Sequence, residues 1–163
     1  MQIRVDLHDD LVRGALDRLI ALGRDPAPAM RDIAAIGENS TRRRFRTQKG
    51  PDGQRWKPSL RAQLSGGKTL TKDGHLVGSI SSNYGPFYAA WGVNRIYALI
   101  HQFGGTIRAK SAGALKFKIP GGGFAVVKAV QMPARPFMGL SDQDKVDIVD
   151  ILEERIQGAF GAH

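Results

Sequence analysis

Met30, Ile33, Ile36 or Gly37, Thr41 and Phe45 recur at three- and four-residue steps, and this one stretch most constrains the fold. Such spacing places them on one face of a helix. Asp25-Pro26 supplies a start: a carboxylate that accepts orphan N–H groups, then a proline with no N–H to leave unpaired. The stretch predicts a long helix running to about Thr47 and ended by Gly50-Pro51. Its last turns carry Arg42, Arg43, Arg44 and Arg46, cations that suit the negative end of the helix dipole.

On the N-terminal side, Ile3, Val5 and Leu7 alternate with polar residues and predict a short strand. Leu11, Leu16, Leu19 and Ile20 then predict a helix as far as Gly23. Residues 48–74 read as an irregular loop with one large anchor, Trp56. Leu76 to Ile80 fits a helical turn or a strand equally well. Ala89, Trp91 and Val93 predict a strand, and Tyr97 to Phe103 a short helix ended by Gly104-Gly105. Leu115, Phe117 and Ile119 alternate with Lys116 and Lys118, which predicts a strand with its apolar side inward. Pro120 to Gly123 form a turn, and Phe124, Val126, Val130 and Met132 return, with Ile107 and Ala109 on a third strand.

Ser141 and Asp144 form a weak capping box ahead of a final helix striped by Val146, Val149, Leu152, Ile156 and Phe160. Strands in one run between helices predict an α+β fold. Its antiparallel sheet of about three to five strands packs with the long helix of the N-terminal half and the C-terminal helix. The 163 residues show no repeat and predict one domain over 1–163.

The absence of cysteine excludes disulfides and thiolate chemistry. Met1 to Asp6 has no apolar core after its first charge, and no apolar run approaches the ~20 residues of a membrane span. A soluble protein made in the cytoplasm is expected. The formal net charge of +9 favours acidic partners, nucleic acid among them. From Arg42 to Arg61 the chain has eight basic residues and one acid, Asp52. Arg42, Arg43, Arg44, Arg46, Lys49, Arg55, Lys57 and Arg61 are therefore the candidate contacts to a partner or to DNA. Trp56, which follows a Pro-Asp-Gly turn, is expected to plug the core, with Phe103 and Phe137 as further anchors.

Reactive sets are missing. Gly66-Gly67-Lys68-Thr69 lacks the earlier glycine of a phosphate loop, since Ala62 holds that place. None of His8, His75, His101 and His163 has a partner at metal-ligand spacing. Asp142, Asp144, Asp147, Asp150, Glu153 and Glu154 read as the solvated face of the last helix, acidic in a basic chain. No catalytic residue, metal or cofactor is expected.

Four phrases occur in a telling order: Pro51-Asp52-Gly53-Gln54-Arg55-Trp56; Gly74-His75-Leu76-Val77-Gly78-Ser79-Ile80; Tyr97-Ala98-Leu99-Ile100-His101-Gln102-Phe103-Gly104-Gly105; and Arg135-Pro136-Phe137-Met138-Gly139-Leu140-Ser141. Together they resemble the phage virion morphogenesis family, tail-completion proteins of Mu-like, contractile-tailed phages and prophages. The chain departs from that family at Asp73-Gly74-His75-Leu76, where Thr-Gly-Arg-Leu is usual. The resemblance implies a structural protein, not an enzyme. It would act in tail completion or head–tail joining, as a ring of subunits that meets tail or neck proteins and DNA passing through. It implies assembly in the bacterial host cytoplasm and a place in the mature virion. The alternative reading is a sequence-independent nucleic-acid-binding protein.

Overall fold

Helix α2, Ala27–Thr47, runs through both hydrophobic clusters of the fold. The computed structural model describes residues 9–21, 25–110 and 113–160. The strand expected at Ile3, Val5 and Leu7 lies outside them. Asp25 starts α2 by accepting the Ala27 N–H through Oδ1 at 3.0 Å. The helix ends at Thr47, but not through Gly50-Pro51. Gln48 turns left-handed there, with φ of 59°. A non-glycine residue in that region is strained. Here three hydrogen bonds hold the Gln48 side chain: its amide donates to the Phe45 and Thr69 carbonyls and its oxygen accepts the Thr69 N–H.

The N-terminal half of α2 packs with α1, Asp10–Ala21, and α6, Asp142–Phe160. Ala15, Leu19, Ala29, Met30, Ile33, Ile148, Leu152 and Ile156 form that core. On α1 only Ala15 and Leu19 are buried, and the expected Leu11 and Ile20 are exposed. On α6 the buried face is Asp144, Ile148, Leu152 and Ile156, one four-residue row, and the expected Val146 is 51% exposed. The phase follows from Asp144, which docks inward on α2, so a residue two positions later points away.

The C-terminal half of α2 meets the second cluster: Phe45, Trp56, Leu76, Ile80, Val93, Ala98, Phe137 and Met138. Strand β1, Ile80–Gly85, pairs antiparallel with β2, Tyr88–Val93, around a Pro86-Phe87 turn and lies on α2. β1 carries Ser81, Ser82 and Asn83 and so shows no apolar alternation. The expected loop over 48–74 contains a short helix, α3, Leu60–Ser65, capped by the Ser59 hydroxyl. Leu76 belongs to a helical turn, α4, His75–Gly78, and α5 spans Ala98–Phe103.

The fold class is α+β, with its strands in three two-stranded ladders. The expected sheet does not form as one unit. β4, Leu115–Lys118, pairs with β5, Phe124–Val127, while β6, Ala129–Met132, pairs with β3, Gly105–Arg108. The chain bends at Lys128, between the pair Arg108–Ala129 that ends one ladder and the pair Leu115–Val127 that starts the other. Among the described residues, none from Phe103 to Ala134 is buried. No helix of the described residues is long and apolar enough to cross a membrane.

Gly37 sits on α2 beneath the Trp91 ring, where a Cβ would lie 2.2 Å from the indole. Alanine would gain roughly 1 kcal/mol of helix propensity over glycine. Any side chain there, alanine included, must displace a rigid ring, an overpacking cost of about 1–3 kcal/mol. Gly37→Val is therefore expected to lower the midpoint of denaturant unfolding and to shift Trp91 fluorescence; an unchanged midpoint would show that the β1–β2 hairpin moves freely on α2.

Candidate interaction surface

The arginine cluster divides into internal and external members. Arg44 points inward. Its guanidinium donates to Asp144 Oδ2 at 2.6 Å, Ser40 Oγ at 3.1 Å, and the Phe137 and Gly139 carbonyls at 2.9 and 2.8 Å. Only 6% of the Arg44 side chain and 1% of the Asp144 side chain are exposed. Arg44 is thus a structural residue and not a contact to a partner. It lies three residues after Thr41 and beside Phe45, within the buried helical face. Arg42 also works inside the chain, pairing with Glu38 and donating to the Val77 and Ile80 carbonyls. Arg43 is exposed but donates to Asp144 Oδ1 at 3.3 Å.

Burial pulls the Arg44 guanidinium down from its ordinary value and Arg43's charge adds to that, against the pull of Asp144. An arginine stays charged regardless. Burial would push the Asp144 carboxyl up, but hydrogen bonds from Ser40 and from the Ser141 amide and hydroxyl, with the Arg44 charge, hold it below the usual range. The capping box is complete: Asp144 N–H donates to Ser141 Oγ at 3.2 Å, and Ser141 N–H to Asp144 Oδ2 at 2.8 Å. Asp144 therefore leaves the solvated acidic face to which its neighbours belong.

Arg46, Lys49, Arg55 and Lys57 are exposed beyond the end of α2. A tight turn brings them together: Lys49 and Arg55 form a β-bridge, and the Gly50 N–H donates to the Gln54 carbonyl at 2.8 Å. Arg61 is half-buried and donates to the Gly66 and Lys68 carbonyls, closing its own loop. Trp56 is buried against Phe45, edge to face at 5.4 Å, and its Nε1 donates to the Pro136 carbonyl at 2.8 Å. Phe137 is fully buried and packs tilted against Phe45, with ring centroids 5.4 Å apart. Phe103 is 66% exposed and anchors nothing. Ala98 and Gln102, four apart, take the inner face of α5, and Phe103 falls off that row.

Gln102 escaped the sequence reading. Its oxygen accepts the N–H groups of Phe137 and Met138, both at 3.0 Å, and its amide donates to the Met138 carbonyl. Arg135 donates its N–H to the His101 carbonyl and its Nε to the Lys57 carbonyl. The four sequence phrases thus converge on one core, and they build a scaffold. His101 and His75 line a shallow cleft with Arg61, Lys72 and Tyr97. Burial, and then the Arg135 charge, push the His101 imidazole down. Among the described residues, no three His, Asp or Glu side chains are grouped to hold a metal.

The depressed Asp144 gives a signed pH effect. Its contribution is present above the carboxylate value of the unfolded chain, about 3.9, and is lost as pH falls through its lower native value. Asp144→Asn is expected to lose about 3–5 kcal/mol at pH 7, because it leaves Arg44 buried without a counter-charge. The gap to the parent should narrow in melts taken below about pH 4; a gap independent of pH would remove the ion pair as its cause.

The chain matches the phage virion morphogenesis family over residues 7–157. It is 33% identical over 171 aligned positions to a protein of Escherichia phage Mu named as capsid assembly protein G, covering 98% of this chain and 96% of that one. It is 32% identical over 146 positions to the Mu-like prophage FluMu G protein 2 of Haemophilus influenzae, covering 90% and 89%. No solved structure matches it. With four phrases that close one scaffold and a family match along nearly its whole length, the chain belongs to the phage virion morphogenesis family and has a role in phage assembly.

Proposed function

We propose that this protein completes the phage tail or joins head to tail, as a subunit of a ring that meets tail or neck proteins. Family membership along nearly the whole chain carries this reading. The mechanism is binding, with no chemical step. Synthesis in the host cytoplasm precedes incorporation into the virion. The distribution of charge supports subunit contact. Arg46, Lys49, Arg55 and Lys57 gather at one turn, while Asp142, Asp150, Glu153 and Glu154 lie exposed on α6. Two patches of opposite sign at different places favour head-to-tail association, and such contacts close into rings when the rotation allows.

The basic turn faces either an acidic subunit or DNA passing through the ring. As the second reading, nucleic-acid binding rests on the same four exposed cations. Trp56 is buried behind them, so bases would find no indole to stack on, and contact would be with phosphates.

Arg46→Glu with Lys49→Glu and Lys57→Glu tests the surface. The isolated fold should change little, since each exposed substitution usually matters by less than ~0.5 kcal/mol. In a phage lacking its own copy, the variant is expected to reduce infectious particles about tenfold or more, with tails lacking heads in electron micrographs. Normal yield would make the turn a solubilising face. Normal assembly with lost, salt-sensitive DNA binding would favour the second reading.

A further inference from the structure

The β4–β5 hairpin is the part of the fold least explained by its own packing. None of its residues is buried, and a two-stranded hairpin alone in water is marginally stable. Among the described residues each strand pairs only with the other, which leaves an edge of each without a described partner. The register also differs from the simple alternation of β4. Lys116 stands opposite Val126 and Lys118 opposite Phe124, so these four side chains share one face. Phe124 is 61% and Val126 63% exposed, and Lys116 Nζ sits 4.9 Å from the centre of the Phe124 ring. The face is thus cationic and apolar together, and uncovered.

One surface of the same molecule complements it. Asp142, Val146, Asp150 and Glu153 follow at steps of four, four and three along the outer side of α6, with Val146 exposed at the middle. Of the cations of α6, Lys145 pairs with Asp142 at the start of this row, and Arg155 pairs with Asp32 away from it. Among the described residues, no ion pair involves Asp150 or Glu153. Lys116 and Lys118 lie ~6.6 Å apart along the strand. Helical residues three apart have Cβ atoms ~5–6 Å apart. One lysine can therefore meet each carboxylate while Phe124 and Val126 cover Val146.

We propose that β4–β5 is an intersubunit arm whose Lys116, Lys118, Phe124 and Val126 dock on the Val146, Asp150 and Glu153 face of α6 in a second copy of this chain. The proposal rests on the ring reading above and names its contact. The two surfaces differ, so the contact is heterologous and leaves each copy with one arm and one helix face to offer onward.

Light scattering of the full chain tests it with two charge-reversed variants, Lys116→Glu with Lys118→Glu and Asp150→Lys with Glu153→Lys. The parent is expected to associate. Each variant alone should associate at least about tenfold more weakly. Their equimolar mixture should recover, since each reversed arm then meets a reversed helix. A parent that associates while both variants keep its mass would overturn the arm and leave the ring reading standing. So would a mixture that fails to recover, or arm variants that keep their mass and lose only DNA binding. A parent monomeric at every concentration, and forming no ring on tails, would end both ideas. The chain has no cysteine, which allows a check independent of charge. A mixture of Val126→Cys and Val146→Cys chains should oxidise mainly to the mixed disulfide dimer; homodimers in statistical proportion would exclude this docking.

Discussion

The buried Arg44–Asp144 pair decides where the last helix lies. Taking two charges out of water costs several kcal/mol per ion, repaid only when geometry is good and the other polar atoms are satisfied. Both conditions hold. Arg44 donates to two carbonyls and a hydroxyl as well as to the carboxylate, and Asp144 also receives the Ser141 amide. Arginine suits the site because a planar fork can reach several acceptors at once, which an ammonium cannot match. Through these bonds α2 holds the 137–139 segment and the first turn of α6 together. The phase of α6 follows, and with it the choice of Ile148, Leu152 and Ile156 for the core and of Val146 for the surface.

The second cluster is assembled by corners. The turn after α2 returns Trp56 onto Phe45, and the indole N–H then reaches the Pro136 carbonyl. Gln102 satisfies the backbone of Phe137 and Met138, and so seats Phe137 without a buried polar group left open. Segments distant in sequence are joined by single polar atoms at the edge of an aromatic core. Removing one such side chain leaves several backbone groups unpaired, a cost per group of roughly 1–3 kcal/mol.

Much of the helical architecture was legible because it depends on short-range rules. The Asp25 carboxylate, the period through Phe45 and the Ser141–Asp144 box each act within one turn, and each stands where the spacing put it. The inward turn of Arg44 was not legible from charge, since its partner lies 100 residues away. Its position beside Thr41 and Phe45 on the buried face was the available signal. Phe103 is hydrophobic, but helical phase takes it off the Ala98–Gln102 row, and phase decides burial. β1 was hidden by its serines, which suit a strand with one open face. The antiparallel strands are legible from alternation, but their division into three ladders is not, because alternation fixes which side a residue takes and not which strand lies opposite. The break between ladders at Lys128 is a property of pairing.

The chain uses charge in two regimes. Inside, Arg44 and Asp144 are shielded from salt by burial. At the surface, the 46–57 turn, the β4–β5 hairpin and the outer side of α6 are exposed to screening over about 8 Å at physiological ionic strength. Ionic strength therefore acts on the surfaces and spares the link that orients α6. A protein built this way can have its surface charges screened without losing the link that orients α6. The absence of buried residues among those described between Phe103 and Ala134 fits the same division. Stability is concentrated in the two clusters along α2, and the ribbon contributes none of their side chains. Its aromatic and aliphatic groups remain in water in the isolated chain, at about 25 cal/mol for each Å² of apolar surface left uncovered. That free energy is available to association, which is where a segment free of core duties can act most strongly.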